Sequence, residues 1–82
     1  MKQTIAQNMY QIMKQKHISY IWYGDIALIE ECAKKTGVMK KHPKDTIITI
    51  LNALDSSPLF TKSYIKVDIN GANRRYRCFK IV

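Results

Sequence analysis

Acidic residues are scarce in this chain of 82 residues. Six aspartate and glutamate residues stand against fourteen lysine and arginine residues, so the formal net charge at pH 7 is +8. A chain with this balance favours anionic partners. The excess is uneven, because residues 1–37 carry five basic and three acidic residues, whereas residues 38–82 carry nine and three. We therefore expect an anionic partner to bind the C-terminal half.

Glycine and proline are also scarce. Three glycines and two prolines exclude a collagen-like or low-complexity chain, and 46% hydrophobic residues provide enough apolar material for one core. A chain this short buries only about 60–65% of the surface that its unfolded form exposes, which leaves no room for a second core. We expect residues 1–82 to form a single domain.

The chain has two cysteines and no sequence typical of a secretory signal. Cys32 and Cys78 could form one disulfide bond, but two cysteines in this context are more typical of free, buried thiols in a reducing compartment. The N-terminal segment has no continuous apolar stretch, and no run of about 18 apolar residues occurs anywhere. We therefore expect a cytoplasmic protein that does not enter a membrane.

Motifs that carry catalysis are missing as well. The sequence has no glycine-rich phosphate loop and no nucleophile elbow, and its six acidic residues have the positions of helix caps or surface residues. The residues with zinc-ligating atoms lack the close spacing of a structural zinc site; they are His17, Cys32, His42 and Cys78. The sequence therefore predicts neither an enzyme nor a bound metal or cofactor.

Helical periodicity predicts three helices. The first begins near Thr4, whose hydroxyl group suits an N-cap, and the apolar residues that follow it recur on one face. The second lies between Asp25, a possible N-cap, and Gly37, a typical helix terminator. The third runs from about Pro43, which suits a first helical turn, to Leu54.

The remaining segments have the features of strands. β-Branched and aromatic residues in 17–23 predict a short strand or an extended connector. Turn-forming residues at 55–58 end the third helix. After them, apolar residues alternate with polar ones up to residue 69, residues 70–73 suit a turn, and 74–81 suit a second strand. The sequence therefore predicts a C-terminal β-hairpin.

A helix, a short strand, two helices and a hairpin, in this order, resemble the winged helix-turn-helix fold, an α+β architecture whose hairpin is called the wing. The resemblance covers nearly the whole chain, and the segments that carry it are residues 25–33, residues 46–54 and Asn70-Gly71-Ala72-Asn73. It is loosely similar to the HARE-HTH type, in which a lengthened turn with a proline precedes the third helix and an aromatic-bearing strand closes the wing. The turn at 38–42 is longer than the usual three or four residues.

The resemblance implies that the third helix enters the major groove of duplex DNA. The residues expected at base edges are Lys44, Thr46, Thr49 and Asn52. In the wing, arginine guanidinium groups suit phosphates and narrow minor grooves, and two lysines in the turn before the third helix add phosphate contacts. The residues expected in these two segments are Lys40, Lys41, Asn73, Arg74, Arg75 and Arg77. A transcriptional regulator or a DNA-associated accessory factor is the expected function.

Other interpretations of the same residues stay open. A phage or mobile-element protein of this architecture could bind an acidic host protein through exposed tyrosines, and a homodimer is compatible with the sequence. Single-stranded nucleic acid or RNA could stack on Tyr20, Trp22 and Tyr23, although packing is the more common role of such residues. The charges of the third helix and the wing could serve solubility alone, and Asp45 near the start of that helix repels phosphate.

Overall fold

Three helices and a three-stranded antiparallel sheet form this protein in a computed structural model that describes residues 4–81. The helices are Ile5–Gln15 (α1), Ile26–Thr36 (α2) and Pro43–Asp55 (α3), and the strands are Tyr20–Trp22 (β1), Phe60–Ile69 (β2) and Ala72–Ile81 (β3). The predicted α+β class is confirmed. Within the described residues, none of the helices has both the length and the apolarity to cross a membrane.

Local capping sets the helix ends close to those predicted. Thr4 Oγ1 accepts a hydrogen bond from the Gln7 backbone N at 3.1 Å, and Gln7 Oε1 accepts one from the Thr4 backbone N at 2.9 Å. This reciprocal pair is a capping box that fixes the start of α1. Gly37 follows α2 with a φ of 77°, a left-handed conformation that costs glycine little. Pro43 occupies the first turn of α3, where its missing N–H is not needed.

Replacing Thr4 with alanine removes one half of the capping box. We expect a loss of about 1 kcal/mol in the free energy of unfolding, because the Gln7 backbone N–H loses its acceptor. For a domain of this size, that loss lowers Tm by about 4–8 °C, which circular dichroism can measure. Gln11→Ala, at an exposed site within α1, is the matched control. Equal Tm values for the two variants would contradict a stabilising cap.

β1 is shorter than the predicted extended segment 17–23. It ends at Trp22, where the chain turns: the Asp25 backbone N donates to Trp22 O at 3.0 Å, and the Asp25 carboxylate accepts from the Trp22 backbone N at 3.1 Å. Asp25 precedes α2 as predicted, but its side chain makes no capping hydrogen bond to that helix. Its carboxylate stabilises the turn instead. In the sheet, β3 lies between β1 and β2.

The hairpin between β2 and β3 turns on two residues. Asn70 and Gly71 have φ values of 51° and 81°, the combination of a type I′ turn, and Ala72 already begins β3. The prediction of a turn over residues 70–73 is therefore wrong, because the Asn-Gly pair alone reverses the chain. β3 is two residues longer at its start than the sequence predicted.

The core lies between the apolar faces of the helices and the base of the sheet, the end remote from the hairpin turn. Asn8 is buried there, and its Nδ2 donates to Thr36 Oγ1 at 2.9 Å, which joins α1 to α2. None of residues 61–77, all of which the structure describes, is fully buried. The hairpin therefore extends beyond the core. The largest fully buried apolar side chains are Met9, Ile12, Met13, Ile21, Ile29, Ile50, Leu54 and Phe79.

Candidate functional site

The hairpin has one face toward the helices and one face away from them. In an antiparallel pair, residues directly opposite each other share a face, and successive residues of a strand alternate between faces. Phe60 and Phe79 lie in the core, so we call their side the helix-side face and the other side the outer face. Register and alternation place eight further hairpin residues on the helix-side face. Asp68 and Asn73 lie near the turn and Ile81 lies at the base, and we call the other five the basic wing face: Lys62, Tyr64, Lys66, Arg75 and Arg77.

Tyr64 lies at the centre of the basic wing face. Its side chain is 56% exposed, and two cations border its ring: Lys62 Nζ is 5.8 Å from the ring centroid and Arg75 Cζ is 5.7 Å from it. Such contacts contribute about 0.5–1 kcal/mol at exposed sites. The ring and its neighbours therefore form a positively charged surface that faces solvent.

Asp55, the last residue of α3, connects the basic wing face to the helices. Its Oδ1 lies 3.5 Å from Lys62 Nζ, and its Oδ2 lies 3.4 Å from Arg77 Nη1. Both ion pairs are partly exposed, so each contributes at most about 1 kcal/mol. Together they hold the hairpin next to α3 and neutralise the carboxylate at the end of this helix.

The three wing arginines predicted to act together lie in three different settings. Arg75 is exposed on the basic wing face, and Arg77 is half-buried beside Asp55. Arg74 lies opposite Val67, on the outer face. A single nucleic-acid backbone therefore cannot meet all three arginines from the same side.

An exposed stripe runs along α3 to its last residue. Lys44, Ile48 and Asn52 are exposed and lie one helical turn apart, and Asp55 continues the line. Because Asp55 contacts two residues of the basic wing face, the stripe and that face form one continuous surface. Two of the predicted contacts, Lys44 and Asn52, lie in it. Thr49 is half-buried beside the stripe, and its Oγ1 donates to the backbone carbonyl four residues earlier at 2.7 Å.

Thr46 does not belong to this surface, so the expectation that it contacts a base edge is wrong. Its side chain is only 1% exposed, and its Oγ1 accepts a hydrogen bond from the Lys40 backbone N at 2.9 Å. Position 46 lies one helical turn before Ile50, so it falls on the stripe of α3 that faces the core. Thr46 fixes the turn before α3, which presents Lys40 and Lys41 to solvent.

Five residues of this surface were not predicted as site residues from the sequence: Ile48, Asp55, Lys62, Tyr64 and Lys66. A two-residue turn at Asn70-Gly71 fixes the register that puts Lys66 opposite Arg75, so the strong Asn-Gly signal could have revealed the two lysines. Helical spacing from Lys44 could have revealed Ile48. Asn73, which was predicted, is exposed on the helix-side face opposite Asp68, close to the turn.

The aromatic residues around β1 pack on the sheet and on one another. The Tyr23 ring stacks on Tyr76 with 5.5 Å between centroids, and Trp22 meets Tyr76 edge-on at 5.7 Å. The Trp22 ring also lies against Gly24, where a Cβ atom would overlap it. Tyr20, which is 47% exposed, has the most accessible ring of this group. The engaged ring faces leave little surface for stacked bases.

Cys32 and Cys78 are free and buried, as the sequence suggested. Burial raises the pKa of both thiols above their ordinary value, because desolvation disfavours the thiolate. This shift disfavours the thiolate, which is the nucleophilic form of cysteine. Among residues 4–81, no three His, Cys, Asp or Glu side chains cluster in a way that could hold a metal ion.

Comparisons of this chain with protein-family models, with curated proteins and with solved structures find no match.

Proposed function

We propose that this protein is a winged helix-turn-helix domain that binds duplex DNA, as a transcriptional regulator or a DNA-associated accessory factor. The observation that carries the proposal is the continuous surface formed by the exposed stripe of α3 and the basic wing face. The order of the elements, with a long hairpin directly after α3, supports the winged-helix assignment.

In this proposal α3 enters the major groove, which is wide enough to admit a helix. The Lys44 ammonium group can donate to guanine, and the Asn52 amide can pair with adenine. Ile48, whose side chain is 45% exposed, would contact the methyl group of thymine. Ile48 thus takes the place of Thr46 as the candidate base contact, because only Ile48 reaches the surface.

The basic wing face would follow the phosphate backbone beside that groove. Each strand of the hairpin has ten residues, a length of roughly 30 Å, and its outer part extends past the core. Lys66 and Arg75 lie opposite each other on this part, and a guanidinium group can bind a phosphate with two parallel hydrogen bonds. The exposed Tyr64 hydroxyl group can donate to a phosphate oxygen. Lys40 and Lys41 add phosphate contacts near the start of α3.

Three acidic residues lie in or near this surface, and the basic ones outnumber them. Asp68 is exposed on the helix-side face near the hairpin turn, two strand positions beyond Lys66, on a face that also carries Lys62, Arg75 and Arg77. Asp55 is neutralised by Lys62 and Arg77. Asp45 lies in the first turn of α3, where a carboxylate stabilises the helix dipole. Three exposed lysines precede it in sequence and outweigh its charge: Lys40, Lys41 and Lys44.

A pair of matched double variants tests the proposal. Lys66→Gln/Arg75→Gln removes two charges from the basic wing face, and we expect it to weaken binding to a labelled duplex of about 20 base pairs by about tenfold or more at low salt. Fluorescence anisotropy measures the affinity. The loss should be similar for duplexes of different sequence, because phosphate contacts carry no sequence information.

Lys14→Gln/Lys16→Gln is the control, because it removes the same charge from the end of α1. Lys14 Nζ lies 5.5 Å from the Tyr10 ring, which meets Phe60 at the base of the hairpin. Lys66 is six strand positions further along, roughly 20 Å away. This variant should bind duplex within about twofold of the natural chain. Equal losses in both double variants, or tighter binding to a single strand than to the duplex, would overturn the proposal.

A further inference from the structure

A row of apolar side chains occupies the outer face of the hairpin. Ile65, Val67 and Ile69 follow one another on this face of β2, and Tyr76 of β3 lies opposite Ile65. Ile69 is 41% exposed, and the other three are half-buried. Trp22 extends the row toward β1 through its edge contact with Tyr76. These side chains form a contiguous apolar patch on the face of the sheet that the core does not use.

The apolar patch lies on the face of the hairpin where polar residues are expected. At the base of the sheet, Phe60 and Phe79 direct apolar side chains toward the helices. From Lys62 to the tip, the helix-side positions are mostly charged, and the β-branched side chains of β2 lie on the outer face. A sheet that covers a core on one face usually presents polar residues on the other. A contiguous exposed apolar patch on a small protein is typical of an interaction site.

The charges around the patch favour an acidic partner. Arg74 lies within it, opposite Val67, and Lys80 lies on the same face nearer the base. Register and alternation place no aspartate or glutamate on the outer face of the three strands, all of whose residues are described. A second copy of the chain would bring Arg74 against the like-charged surface of a molecule with a net charge of +8. Self-association through this face is therefore disfavoured.

The chemistry of the patch suits a protein better than a nucleic acid. Ile65, Val67 and Ile69 offer no hydrogen-bond donors to phosphates or bases. The Tyr76 ring, which could stack on a base, already stacks on Tyr23. Apolar side chains of a protein would instead bury this surface in the usual manner of an interface centre, with charged residues at its rim.

We propose that the outer face of the hairpin binds an acidic protein segment that carries apolar side chains. These side chains cover Ile65 and Val67, and neighbouring carboxylates pair with Arg74. Because the basic wing face lies on the opposite side of the same strands, the segment and a nucleic acid can bind simultaneously. The inference rests on the outer face alone and does not depend on the proposed nucleic-acid function.

A display library of random peptides of about 16 residues, selected against the full chain, tests this surface. The enriched peptides are expected to combine apolar residues with aspartate or glutamate. Trp22 is the single tryptophan of the chain and borders the patch, so a synthetic enriched peptide should shift its fluorescence emission. A selection that enriches no peptides of this composition would overturn the proposal.

Variants of the two hairpin faces locate the bound peptide. Ile65→Thr/Val67→Thr keeps β-branched residues in β2 but removes apolar contacts, and Arg74→Gln removes the charge. Each of these variants is expected to lower peptide affinity by about tenfold. The matched control, Lys66→Gln/Arg75→Gln, changes the opposite face and should leave peptide affinity within about twofold. If the control lowers peptide affinity and the outer-face variants do not, the peptide binds the basic wing face, which would contradict the proposal.

Two further measurements separate this proposal from its rivals. The first is the oligomeric state. If the natural chain forms a concentration-dependent dimer and Ile65→Thr/Val67→Thr is monomeric, a second copy covers the patch and the proposal is wrong. Duplex affinity should be unchanged in the Ile65→Thr/Val67→Thr variant, and a loss there would assign the patch to nucleic acid. If the natural chain binds peptide at the outer face but binds no duplex, the proposed function fails and this inference stands.

Discussion

Phe79→Ala is expected to remove a large part of the free energy of unfolding and to move the urea midpoint far below that of the natural chain. Phe79 is fully buried in β3, between Ile21 of β1 and the base of β2, so its removal opens a cavity that three elements share. Truncating a buried phenylalanine costs about 3–5 kcal/mol. A domain of this length has only about 4–12 kcal/mol of unfolding free energy. Urea unfolding followed by far-ultraviolet circular dichroism measures the loss.

Tyr64→Ala is the matched control for this prediction. Tyr64 is an aromatic residue on the same face of the hairpin, but 56% of it is exposed, so its truncation should cost about 1 kcal/mol or less. The two variants thus separate the core at the base of the sheet from the surface further along it. Similar urea midpoints for Phe79→Ala and Tyr64→Ala would contradict the placement of the core.

The affinity for duplex DNA is expected to fall several hundredfold when monovalent salt rises from about 50 mM to about 200 mM. If about five basic side chains neutralise phosphates, the logarithmic salt slope is about −4.5, because each contact releases roughly 0.9 counterion. Four exposed basic residues of the proposed surface can neutralise phosphates, and Lys44 in the groove adds a fifth positive charge; the four are Lys40, Lys41, Lys66 and Arg75. Fluorescence anisotropy at four or more salt concentrations gives the slope.

The double variant Lys66→Gln/Arg75→Gln should reduce the magnitude of this slope by about 2, because two phosphate contacts disappear. Lys14→Gln/Lys16→Gln should leave the slope unchanged. A slope between 0 and −1 for the natural chain would mean that phosphates contribute little to binding, which would contradict the role proposed for the basic wing face.

Local signals were sufficient to predict the helices. Thr4, Gly37 and Pro43 each act through a few neighbouring residues, so capping and backbone geometry could be inferred without knowledge of the tertiary structure. The sequence predicted a hairpin turn over residues 70–73, two residues longer than the turn that Asn70 and Gly71 form. That error also concealed the register, and with it the pairing of Lys66 with Arg75.

The candidate site depended on contacts that sequence patterns do not contain. Arg74 and Arg75 are neighbours in the chain but lie on opposite faces of β3, since alternation separates them. The pairing of Asp55 with Arg77 joins residues 22 positions apart. Threonine is a polar residue that is usually exposed, yet the helical phase of α3 places Thr46 in the core. Its hydroxyl oxygen accepts a hydrogen bond there from the Lys40 backbone N, in the turn before the helix.

Nuclear magnetic resonance of the protein with a short duplex tests most directly whether nucleic acid binds the continuous surface of α3 and the basic wing face. The Ile48 methyl and Tyr64 ring signals should shift on titration, because both side chains lie exposed in that surface. The methyl signals of Val67, on the outer face, should remain unchanged. Shifts at Val67 without shifts at Ile48 and Tyr64, or no shifts at any of the three at low salt, would contradict the proposed function.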